Sequence, residues 1–359
     1  MSALSRRLTI LLIIWVSTLP LVSWNGWFEV PKMMVFWTGS LVLFAHLAIK
    51  KELPKNMFLP KNILYGLWLI IGLFASFGAN NVLDSLIGGS YRKQGLVFFF
   101  GMFVLGKTIF SLSKKDKLTL VKFLSITTLV ISVAIFYQKL QNKYLLATIG
   151  EPNAVASIIS LGVVYFFLEK TTNFSLTFFI FSVLSILFIG SLSGFFVLVV
   201  LFPLSFLAKR AKSKIFLVIV SLIAISLPIV GALFKKDAPY FESRLQFWKY
   251  ATSAIEQKPY LGYGFESQEL IYEKAYKKDE VPLDFLIVDR AHNLFLDVIL
   301  WTGILGLFSF FGWLFFELKD LVLGKKYLQF GSILALLAYS MIQPLSIIHW
   351  LYLFVFLNI

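Results

Sequence analysis

The chain has 359 residues, of which 58% are hydrophobic and 14% charged, and its mean hydropathy is +0.83. A soluble domain of this size needs more polar side chains to cover its surface, so the solvent that fits this composition is lipid, and 39 Phe and nine Trp suit a lipid-facing surface with aromatic belts. The absence of cysteine excludes disulfides, thiolate metal sites and cysteine nucleophiles, while the formal charge of +14 raises a nucleic-acid partner that the placement of the charges argues against.

Apolar runs long enough to cross a hydrocarbon core recur from end to end. They lie near 8–24, 32–49, 62–78, 95–112, 118–138, 153–169, 173–189, 192–208, 214–234, 292–316, 327–343 and 345–358. Arg6 and Arg7 precede the first run with no small-residue cleavage site after it, so it reads as a span and not as a signal peptide. Strand-like alternation is absent, so helices satisfy the backbone. The expectation is an all-α, polytopic integral membrane protein of about 11–12 transmembrane helices. Residues 1–359 form a single transmembrane domain with one large extracytoplasmic loop at 235–291.

Orientation follows from Lys and Arg. With Arg6 and Arg7 cytoplasmic, so are the loops holding Lys50, Lys51, Lys55 and Lys61, then Lys114, Lys115 and Lys117, then Lys209, Arg210, Lys212 and Lys214, then Lys319, Lys325 and Lys326. The excess positive charge then faces anionic membrane lipids, with no nucleic acid implied. The segment from Lys235 to Arg290 faces outward. Within it, Ser243 and Gln246 have capping-box spacing, and Leu245, Trp248, Thr252 and Ile255 recur at helical spacing, which predicts a short amphipathic helix on the membrane surface. Pro259 ends it, Gly262 and Gly264 form a turn, and Pro282 follows a charged stretch from Glu273 to Glu280. Asp289 is the expected N-cap of the next membrane helix.

His292, one of three histidines, would then sit in the first helical turn. The positive end of the helix dipole disfavours imidazolium there, leaving a neutral ring suited to accept a proton. The bland alternative is an interfacial histidine that only hydrogen-bonds the loop. His46 and His349 read as structural. Arg244, Arg290 and Arg92 all lie on the outward side, and guanidinium forks match phosphate oxygens in pairs, although snorkelling would explain each arginine alone. Gly262-Tyr263-Gly264 lacks the third glycine of a dinucleotide loop, no phosphate-cradling loop is present, and scattered histidines without clustered carboxylates give no basis for a metal site.

Read together, Arg244-Leu-Gln-Phe-Trp248, Pro259-Tyr-Leu-Gly262-Tyr-Gly264-Phe, Ala291-His292-Asn293-Leu-Phe-Leu296 and Gly303-Ile-Leu-Gly306 resemble the signature of the O-antigen ligase and O-antigen polymerase superfamily. Gly190-Ser-Leu-Ser-Gly-Phe195 looks like the family's Ser-Arg-x-Gly helix start, with Leu192 in place of the arginine, and Glu151-Pro-Asn153 is similar to its Asn-rich helix entry. The likeness covers mainly residues 150–316, a ligase-like core, with a looser match around Gly89 to Gly95. The resemblance implies a cell-envelope enzyme of the bacterial cytoplasmic membrane that transfers oligosaccharide from undecaprenyl pyrophosphate to a hydroxyl on an acceptor glycan or glycolipid. It further implies an inverting, metal-independent glycosyltransferase without a cofactor. His292 would be the general base, Arg244 and, with less support, Arg92 and Arg290 would hold the pyrophosphate, and Asn293 and Trp248 would support them. Two other readings compete. A shape-determining peptidoglycan polymerase would rely on an outward acidic residue, and a transporter or flippase would place charges near the midplane between internal repeats, which the sequence lacks.

Overall fold

The computed structural model describes residues 6–24, 28–49, 57, 59–89, 92–163, 173–210, 214–234, 239–278 and 288–359. The predictions at Lys50, Lys51, Lys55, Lys212 and Lys235, at 164–169 of the sixth apolar run, and at 279–287 with Glu280 and Pro282 lie outside the described residues. Among the described residues the regular elements are α-helices, with one short 3₁₀ turn and no strand. In chain order they are α1 (Arg6–Thr18), α2 (Glu29–Ile49), α3 (Pro60–Phe77), α4 (Val82–Ile87), α5 (Leu96–Phe110), α6 (Lys114–Leu140), α7 (Pro152–Gly162), α8 (Asn173–Ile189), α9 (Leu192–Arg210), α10 (Lys214–Phe234), α11 (Pro239–Gln257), α12 (Gln268–Lys278), α13 (Leu294–Leu323), α14 (Tyr327–Tyr339) and α15 (Ile347–Asn358).

Each predicted apolar run carries a helix, and α4, α11 and α12 fall between runs. By length and composition α2, α3, α6, α9 and α13 can each cross a membrane. The chain is thus an all-α polytopic membrane protein. Helix α13 runs along α3, α9 packs against α7 and α14, and α15 lies on α5. Aromatic rings fill the centre, with Trp68, Trp301, Trp313 and Trp350 fully buried. Trp68 Nε1 donates to Thr302 Oγ1 at 3.0 Å and Tyr65 donates to the Phe99 carbonyl at 3.0 Å, so these two polar tips find partners inside the bundle. At one end, Lys107 and Glu317, both almost wholly buried, pair at 2.7 Å and tie α5 to α13. Lys61 of α3 joins them through Glu317 at 2.8 Å.

Two helix starts differ from expectation. Helix α11 begins at Pro239, whose fixed φ and missing amide suit a first turn, so Ser243 lies inside the helix and does not cap it. Its inward face is Phe247, Tyr250, Ala251 and Ala254, while Thr252 is exposed. That face packs on Tyr272 and Tyr276 of α12 and Leu300 of α13, so α11 is docked on protein. The second correction concerns α13. Its N-cap is Asn293, whose Oδ1 accepts from the amides of Phe295 and Leu296 at 3.0 and 3.3 Å. Asp289 is drawn away by an ion pair with Arg92, 197 residues distant in sequence.

Helix α13 is broken at Gly303, where φ is 63° and ψ −169°. The break frees carbonyls that a continuous helix would satisfy internally. The loop after α11 fills them: the amide of Tyr263 donates to Leu300 O at 2.7 Å and that of Gly264 to Trp301 O at 2.9 Å, while the amide of Ile304 donates to Pro259 O at 2.8 Å. A Cβ at Gly303 would stand 2.1 Å from the Tyr260 carbonyl, and one at Gly262 would stand 2.6 Å from Leu300 O. Both glycines are there because backbone meets backbone. Gly262, Gly264 and Gly303 are all buried, so this irregular backbone is surrounded by protein.

Candidate active site

The short segment Val288–Asn293 enters α13 from the loop and carries three charged or titratable side chains, each sent in a different direction. Arg290 points inward and is 2% exposed. It forms an ion pair with Glu266 and donates to Gln268 Oε1 at 3.2 Å and to Gln94 Oε1 at 3.3 Å, with its guanidinium 4.9 Å from the Trp301 ring centre. Gln94 is itself held through the Leu345 carbonyl at 3.1 Å, and Gln268 through Asp297 Oδ1 at 3.3 Å. Asp297 also accepts the Ala291 amide at 2.8 Å. A guanidinium with this many acceptors is committed to holding the segment in place.

Asp289 faces Arg92. Burial alone would raise the carboxyl, but the Arg92 and Arg290 guanidiniums outweigh that and hold it below the usual carboxylate range. Both side chains of this pair keep some exposure, 12% for Arg92 and 13% for Asp289.

His292 lies between these paths with φ at 55°, an uncommon backbone conformation for a residue other than glycine. Lys93, next to Arg92, and Glu266, the ion-pair partner of Arg290, also have positive φ. Strained backbone of this kind clusters where surrounding structure imposes a geometry. The imidazole lies 5.6 Å, centre to centre, from the ring of Phe247, and its Nδ1 is buried without a hydrogen-bond partner. Burial pushes the imidazole well below its ordinary range, and Arg244 adds to that, with Asp289 opposing. The ring is therefore neutral near pH 7, as expected, although the cause is burial with a neighbouring guanidinium and not a place in the first turn. His292 precedes the N-cap.

Arg244 reaches this rim from α11. Its Nε donates to the Ile342 carbonyl at 3.3 Å and its guanidinium stands 5.8 Å from the Phe247 ring centre. Trp248 Nε1 donates to the Ala291 carbonyl at 3.0 Å, and Asn293 Nδ2 to the Met341 carbonyl at 3.3 Å, so both brace the His292 segment. The structure therefore brings Arg244, Trp248, Arg290, His292, Asn293 and Arg92 to one end of the bundle. Of the three arginines, Arg290 is buried in its own ion pair and the other two lie nearer the surface.

From sequence, Glu266, Gln94 and Gln268 carry no role, and Asp297 enters only as one half of an unsupported carboxylate pair with Asp289. Asp297 had a usable signal, since a carboxylate one turn into an apolar run needs a partner. The helix starts at Glu151-Pro-Asn153 and Ser191 also meet: Ser191 Oγ accepts the Gly194 amide at 3.1 Å and donates to Asn153 Oδ1 at 2.7 Å. Leu192, beside them, is 84% exposed. His349 is buried, bonded through Nε2 to Ser157 Oγ at 2.6 Å, and completes a capping box with Ser346, which is a structural role.

No curated protein matches the chain. A family model described as O-antigen ligase matches residues 176–311, a stretch that carries Arg244, Trp248, the broken helix and His292 but not Arg92 or Gln94. That match falls on motifs that build this end of the bundle, so residues 176–311 are similar to the O-antigen ligase family.

Proposed function

We propose that the chain is a membrane glycosyltransferase that moves or polymerises oligosaccharide from undecaprenyl pyrophosphate onto an acceptor sugar hydroxyl at the outer face of the bacterial cytoplasmic membrane. The observation that carries this reading is His292, neutral and with Nδ1 unpartnered, beside Arg244 and the Arg92–Asp289 pair. In the reaction the acceptor O–H bond breaks and its proton passes to the imidazole. The oxygen forms a bond to the anomeric carbon as the bond to pyrophosphate breaks, with inversion there. The leaving group gathers negative charge, which Arg244 stabilises, while Arg92 is held in its ion pair with Asp289. Arg290, also expected to hold phosphate, acts instead by fixing the His292 segment, because its guanidinium is occupied by Glu266, Gln94 and Gln268.

The test uses a cell whose surface polysaccharide depends on this protein. His292→Ala and Arg244→Ala should each lower product by a factor on the order of 100 or more while the protein stays in the membrane. Normal product from both variants would overturn the mechanism.

A further inference from the structure

A cavity of about 260 Å³ opens at the same end of the bundle. Its walls come from segments far apart in sequence: Phe28 and Glu29 before and at the start of α2, Arg92 in the α4–α5 loop, Gly150 and Glu151 before α7, and Ser346 before α15. The polar groups are pinned. Glu29 Oε2 accepts the Ile347 amide at 3.1 Å, and Glu151 accepts the amides of Asn153 and Ala154 at 3.1 and 2.6 Å. Buried Lys32 donates to the carbonyls of Phe28 at 2.8 Å and Thr148 at 2.6 Å, which ties two walls together. The Phe28 ring lies against Gly150, where a Cβ would be 2.3 Å from it.

This chemistry differs from that of the His292 rim. Two fixed carboxylates accept hydroxyl protons and repel a phosphate, and the one guanidinium is already paired with Asp289. A phenyl ring in the same wall offers an apolar surface for sugar C–H groups. The volume admits a single sugar ring with its exocyclic groups and is below that of drug-sized pockets. Arg92 links the two places, since it lines the cavity and pairs with Asp289, three residues before His292.

We propose that this cavity is the acceptor-sugar subsite, taking one uncharged, hydroxyl-rich pyranose ring beside the transfer site. It rests on the transferase reading above, and its test is separable from that reading. The full chain in lipid nanodiscs is probed by saturation-transfer NMR with the methyl glycosides of glucose, galactose and N-acetylglucosamine, with inorganic pyrophosphate as competitor. At least one glycoside should receive saturation, and pyrophosphate should not displace it. Val30→Trp, which fills the cavity from its wall, should abolish binding, and Glu29→Gln, which keeps an oxygen for the Ile347 amide but loses the charge, should weaken it roughly 10- to 150-fold, the range for losing a hydrogen bond to a charged group. A variant that aggregates is replaced in the comparison by the other. The subsite is overturned if no glycoside exceeds empty nanodiscs, if correctly folded variants bind like the parent, or if pyrophosphate abolishes the signal. Normal product from both His292→Ala and Arg244→Ala would instead overturn the transferase reading and leave glycoside binding in place.

Discussion

Replacing Gly303 with alanine puts a Cβ 2.1 Å from the Tyr260 carbonyl, at a φ of 63° that an L side chain rarely adopts. Holding alanine in that conformation costs about 1–3 kcal/mol. The collision must also push the 259–264 loop away, which threatens the three amide–carbonyl bonds from Tyr263, Gly264 and Ile304, each contributing about 0.5–1.5 kcal/mol. The combined loss is on the order of 3–7 kcal/mol, or a fall in Tm of about 5–10 °C. The same loop leads to Glu266 and Gln268, so its displacement loosens Arg290 and with it the His292 segment. Gly303→Ala should therefore melt earlier in a detergent-solubilised thermal scan and make little polysaccharide. Gly66→Ala, where a Cβ would meet nothing within 4 Å, is the control and should match the parent. A Gly303→Ala protein that melts with that control and makes normal product would refute the account of the broken helix.

Two further outcomes follow from charges at opposite ends of the bundle. His292 works as a base only when neutral, and burial with Arg244 holds its pKa down, so activity should persist as pH falls and be lost only below the ordinary histidine value of about 6.5. In kcat/KM against pH for the lipid-linked donor, an acid limb at or above that value would contradict this; in kcat the limb should move upward, because bound pyrophosphate offsets the guanidiniums. At the other end, Lys107→Ala strands buried Glu317 with Lys61 alone and should cost about 3–5 kcal/mol, whereas the double change Lys107→Met with Glu317→Leu should recover most of it. Equal thermal stability of the single and double variants would count against a paired buried charge there.

Much of this architecture was legible because lipid imposes long apolar runs, and those runs became helices with few surprises. The site was legible in pieces. Arg244, Trp248, His292 and the glycine motifs could be read one by one, but sequence gave no sign that Pro259–Gly264 seats itself in the break at Gly303. Asp289 and Asn293 are equally good caps by residue type, and only the ion pair with Arg92 decides between them. Ser243 failed as a cap for a similar reason: local spacing fitted, but a proline four residues earlier offered a better first turn. Arg290 is the sharpest case. Its charge invited a phosphate role, whereas its surroundings supply Glu266, Gln94 and Gln268, three partners from two distant segments.

The interrupted helix also constrains how the chain is made. Bare carbonyls at Leu300 and Trp301 would be costly in hydrocarbon, several kcal/mol for each unmet group. The segment that answers them, Pro259 to Gly264, comes earlier in the chain, so it has been synthesised before the break emerges. The second half of α13 can thus enter the membrane against a partner already made, and a permutation that placed the loop after the helix would expose the gap to lipid during insertion.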